Sequence, residues 1–134
     1  MRKWAIKILP ALAFVALFLL IVNYAKQNSP NRNDAQLRSL EQIVSSTPTF
    51  PDFRSIGSHT SSRAMDAGIY KYFRSSANYT EVENFYTTKL SQSGWLLVDN
   101  SRNLEFHKDN YLIVVEYSKS SDWNYGVSFV WRDK

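Results

Sequence analysis

Apolar positions recur along the chain in three different rhythms, and each rhythm predicts a different element. Residues 8–22 are continuously apolar, which is the pattern of a membrane helix. Leu37, Leu40, Ile43 and Val44 recur at three- and four-residue spacing, predicting a helix over about 35–45 capped by Asn33 or Asp34. Val82, Phe85, Tyr86 and Leu90 share one arc of a second helix, with Lys89 inside that arc on a stem long enough to reach water. Thr80 followed by Glu83 reads as its capping box, starting the helix near Glu81, and Gly94 as the left-handed residue that ends it.

Period-two alternation predicts the strands. Gly68–Ser75 precedes the second helix; Trp95–Asp99, Leu104–Lys108, Tyr111–Ser118 and Tyr125–Arg132 follow it. Their short, turn-rich separators imply antiparallel hairpins, and the doubly apolar YLIVVEY run implies a central strand. Thr47–Asp66, with Pro48, Pro51, Gly57 and many hydroxyls, reads as loop, pinned to the core by Phe50, Phe53 and Ile56. The expected fold is α+β: an N-terminal transmembrane helix, then a helix packed on an antiparallel sheet of about four to five strands.

The N-terminus sets the expected location. Trp4–Tyr24 is 21 residues, about 31 Å as a helix, with an aromatic ring at each end. Signal-peptidase cleavage after Ala25 would need a small residue where Asn23 stands, so an uncleaved anchor is expected. Arg2, Lys3 and Lys7 before the run, against Lys26 just after it, place the N-terminus in the cytoplasm. The organisation expected is a cytoplasmic tip and anchor over residues 1–25, a polar tether over 26–33 and an extracytoplasmic domain over 34–134.

Charge then changes its meaning. The chain carries +4 overall, but three of its 16 basic residues precede the apolar run and all 12 acidic residues follow it. What remains is 13 cations against 12 anions, nearly neutral, and the footprint of a nucleic-acid binder is missing. With no cysteine, disulfides and lipid attachment at a cysteine are excluded.

Candidate chemistry is sparse. The two histidines, His59 and His107, are far apart in sequence and no metal-ligand spacing occurs, so neither a metal nor a cofactor is expected. His59 among serines invites a hydrolase reading, but no nucleophile-elbow motif surrounds it, and the chain reads as non-catalytic. Asn78-Tyr79-Thr80 matches a glycosylation acceptor, with the hydroxyl better explained as a cap. The residues suited to contact a partner or ligand are Trp123, Tyr125 and Tyr117, with Trp123 at a hairpin tip.

The pattern Val82-x-x-Phe85-Tyr86-x-x-x-Leu90-x-x-x-Gly94-Trp95 resembles the helix-to-strand signature of a loose group of small bacterial envelope domains tethered by one membrane helix or a lipid. That resemblance implies the fold and the location, and it supplies no site residues. The function expected is a single-pass, membrane-anchored envelope protein whose outer domain binds another envelope protein. The alternative is a cell-wall or glycan-binding module using the C-terminal aromatics.

Overall fold

Asn78, not Thr80, starts the helix at the centre of the chain. In the computed structural model, Asn78 Oδ1 accepts from the Glu81 amide at 3.0 Å, and Glu81 Oε2 accepts from the Asn78 amide at 3.1 Å. This is a reciprocal capping box, two residues upstream of the predicted one, and it starts the helix at Tyr79. Both pairs have the capping-box spacing; Asn78 has the extended backbone that a cap requires. The helix ends as predicted. Gly94 takes φ +82°, its amide donates to Ser91 O, and the Trp95 amide reaches back to Leu90 O, which together close a Schellman turn.

The structure describes residues 17–21, 32–63, 65–120 and 122–133. The chain divides into two compact units, Met1–Arg32 and Asn33–Lys134. In the first, residues 17–21 are helical and exposed. The predicted span Trp4–Tyr24 otherwise lies outside the described residues, among which no helix is long and apolar enough to cross a membrane.

The second unit is an α+β domain. Its elements are α1 (Arg32–Ser46), β1 (Arg54–Ser62), β2 (Asp66–Arg74), α2 (Tyr79–Gln92), β3 (Leu96–Asp99), β4 (Leu104–Lys108), β5 (Tyr111–Tyr117) and β6 (Tyr125–Arg132). The sheet has six antiparallel strands in the order β1-β2-β6-β5-β4-β3. Chain order explains it. The segment β2-α2-β3 carries the chain to the opposite edge, and the β3-β4-β5-β6 meander returns it beside β2. The predicted hairpins are present, and β5 with β6 forms the centre.

The expectation of four to five strands is therefore corrected to six. The extra strand is β1, inside the stretch read as loop, and seven of its nine residues are exposed before the half-buried Ser61. A strand with water on both faces has no apolar alternation to betray it. Ile56 does not pin this stretch: it is 52% exposed, beside a register shift between Ser55 and Gly57. Phe50 and Phe53 do. Phe53 stacks on Phe73 at 4.8 Å, and Phe50 meets Phe85 edge-on at 5.3 Å. Asp52 locks the same turn by accepting from Ser75 Oγ, Ser76 N and Ser76 Oγ, and these bonds hold its carboxyl below the usual range.

Both helices pack on one face of the sheet. Leu40 of α1 and Val82, Tyr86 and Leu90 of α2 are buried with Phe73, Leu104, Phe106, Ile113, Val115, Tyr125, Val127 and Phe129. Leu37, Ile43 and Val44 lie at the margin of that core, so α1 spends its apolar face within the domain. Lys89 is exposed.

Candidate functional site

Strand alternation decides which side chains occupy the other face. With Tyr125, Val127, Phe129 and Trp131 turned to the helices, Gly126, Ser128, Val130 and Arg132 turn away. Their partners Tyr72, Tyr70, Gly68 and Asp66 on β2 turn away with them. On β1, His59 pairs with Tyr70 and Gly57 with Tyr72. Neither α1 nor α2 covers this face, since both pack on the other.

It carries a row of rings. His59 stacks on Tyr70 at 4.6 Å with only 10° between planes, and on Tyr72 at 5.8 Å. Tyr72 in turn packs against Trp123 at 5.1 Å. A hydrogen bond of 3.2 Å joins Tyr72 Oη and His59 Nδ1, its direction set by the imidazole tautomer. Beside the row, Glu116 folds over Gly126, where a Cβ would come within 2.7 Å of its carboxylate. Gly126 is the residue opposite Tyr72, so the carboxylate lies near that phenol. Burial first, then the electrostatic influence of Glu116 and Tyr70, push the Tyr72 phenol above its ordinary value.

The row is built by three separate segments. β1 supplies His59, β2 supplies Tyr70 and Tyr72, and the loop before β6 supplies Trp123. That loop is tied down at Asn124: its amide donates to Phe73 O, its Oδ1 accepts from the Ser75 amide, and its Nδ2 donates to Ser75 O. Trp123 is thus held beside β2 and half-buried, where a free hairpin tip was expected.

The three aromatics singled out in the sequence do not converge. Trp123 joins the ring row on the open face. Tyr125 lies on the helix face, fully buried, with its hydroxyl donating to Ala77 O at 2.9 Å and burial pushing its phenol upward. Tyr117, 47% exposed, packs on Tyr125 at 5.3 Å and near Tyr79 at 6.3 Å, at the rim of the same helix-side cluster. Tyr125 is a core residue, and only Trp123 belongs to the open surface. Sequence reasoning missed Tyr70 and Tyr72 as surface groups, although their placement opposite Ile69 and Phe73 was already the signal.

His59, the residue behind the hydrolase reading, has tyrosines as its neighbours and hydrogen-bonds to Tyr72. Asn78 of the glycosylation pattern uses its side chain as the helix cap. Among the described residues, no group of three or more His, Cys, Asp or Glu side chains is placed to hold a metal.

A cavity of about 300 Å³ lies on the helix side, near the small end of the range for ligand sites. Ile43, Leu90, Trp95, Lys108 and Tyr111 help line it. Lys108 Nζ donates to Ser93 O at 3.0 Å, capping the end of α2. The chain matches no family model, no curated protein and no solved structure.

Proposed function

We propose that this chain is a single-pass, membrane-anchored and non-catalytic envelope protein, akin to the small tethered bacterial domains it resembles, whose outer domain binds another envelope protein. Residues 4–24 form the anchor in this reading, with the N-terminus cytoplasmic and the α+β domain outside. The observation that carries the binding role is the ring row on the helix-free face. Tyrosine and tryptophan rings lose little side-chain freedom on binding and combine apolar area with polar edges. Here four rings already lie in contact, which lowers the ordering cost of docking further.

The same rings, with the Glu116 carboxylate beside them, favour wall glycan as the second reading. Sugar rings would stack on the aromatic faces while the carboxylate and phenols bonded hydroxyls.

Photo-cross-linking in living cells separates these. Benzoylphenylalanine at position 123 keeps an aromatic group in the row, and the same probe at position 88 reports on the exposed side of α2. A discrete protein adduct from 123 and none from 88 is the expected result. Glycan attached at 123 would move the assignment to wall binding. Adducts from 88 alone, or none from either, would overturn both readings.

A further inference from the structure

The two edges of the sheet are finished differently. β3 is four residues long, with its register broken between Leu97 and Asp99. A short, irregular edge offers little to a foreign strand. β1 is nine residues long, and between Ser55 and Ser62 it contains no Asp, Glu, Lys or Arg. Among the described residues nothing pairs with its outer side. Proteins normally blunt such an edge with charge, proline or a covering element. Its only irregularity is the register shift against β2 near its start, which leaves Gly57–Ser62 in regular pairing.

We propose that β1 pairs antiparallel with β1 of a second copy of this chain, joining two six-stranded sheets across a two-fold axis. The strand is self-complementary for this. Centring the axis on Ser58, the midpoint of Arg54–Ser62, sets Gly57 and Ser58 of the regular stretch against His59 and Ser58 of the mate and lays the irregular start, Arg54–Ile56, beside Thr60–Ser62. Arg54 then has only uncharged residues opposite it, so no like charges meet. His59 of one copy faces Gly57 of the other, where even an added methyl would find nothing within 4 Å. A two-fold contact is also the commonest way for one chain to satisfy such a surface. Its functional consequence is continuity: the His59, Tyr70, Tyr72 and Trp123 row of one copy runs on into that of its mate, forming one double-length ring surface. The dimer stands or falls independently of what that surface binds.

The chain has no cysteine, so a single introduced thiol reports cleanly. At the axis, opposed Cα atoms of an antiparallel pair are about 4.5–5.5 Å apart, within the range a disulfide spans. Full-length Ser58→Cys in detergent should oxidise to a disulfide dimer, while Ser91→Cys, exposed on α2, should not. Ser58→Lys should weaken the dimer about tenfold or more by opposing two ammonium groups, with a thermal melt that matches the parent's at dilutions where both chains are monomeric. Mixing Ser58→Lys with Ser58→Glu chains should restore it as a heterodimer. A dimer that survives Ser58→Lys, or a Ser58→Cys chain that stays monomeric under oxidation, overturns the proposal. Cross-linking of Ser58→Cys in cells only to a different protein would overturn it too, assigning the edge to a foreign strand.

Discussion

The two faces of one sheet solve opposite problems. On the helix side, fifteen buried apolar residues from six of the eight elements and the turn after α2 interlock around the two helices. On the open side, Leu112 and Val130 are buried yet lie outside that cluster, and most neighbouring side chains are half-exposed. Stability is thus concentrated on one face, which leaves the other free to display rings that have little to do with holding the fold. The contrast teaches how to read aromatics here: Tyr125 and Tyr72 differ in role because alternation turns one inward and the other outward.

Truncation should expose the contrast most strongly. Phe106 is fully buried on the helix face, so Phe106→Ala should cost about 3–5 kcal/mol, a large part of the roughly 5–15 kcal/mol a domain possesses. Tyr70→Ala, removing a ring of similar size from the open face, should cost under about 1.5 kcal/mol. Urea melts of the two variants measure this directly. Similar losses from both would mean that the open face is a second core.

A smaller effect separates the faces by pH. Tyr86, beneath α2, is almost completely buried, and burial pushes its phenol up to about 12; the weak hydrogen bond from the Phe50 amide opposes this. Because the folded value lies above the unfolded one near 10, the unfolded chain loses its proton first as pH rises. The contribution is therefore complete below about pH 10 and disappears as pH climbs through about 12, a loss of roughly 2–3 kcal/mol. Denaturation at pH 9, 10.5 and 12 should show it, and Tyr86→Phe should be less sensitive by that amount. Equal pH sensitivity in the two proteins would remove Tyr86 as the cause.

How legible these faces were in the sequence follows from what each does. Helix α2, the meander β3 to β6 and the packing of α1 were legible because burial imposes a period on Val82, Tyr86 and Leu90 and on Tyr125, Val127, Phe129 and Trp131. β1 was not, since solvent on both sides removes the selection that writes a period. The helix start was misplaced by two residues because Asn78-x-x-Glu81 and Thr80-x-x-Glu83 overlap, and only the backbone at Asn78 decides between them. Of the ring row, Trp123 was legible as an aromatic in a turn. Its contact with Tyr72 was not, because β2 and β6 pair across some fifty residues of intervening chain.

The smallest effect tests whether the row is one surface or four independent side chains. Tilted aromatic pairs at the 5.1 Å spacing of Tyr72 and Trp123 are worth about 0.5–1.5 kcal/mol beyond area burial. Trp123→Ala and Tyr72→Ala should each destabilise modestly, and the double variant should cost less than their sum by that coupling. The loop does not depend on the indole for its position, because Asn124 anchors it through three hydrogen bonds to β2 and Ser75. A Trp123→Ala chain should therefore keep its fold while losing an end of the row, making it the variant in which the proposed binding and stability come apart. Strictly additive costs would mean that the rings merely sit near one another, and preorganisation would no longer support the open face as the binding side.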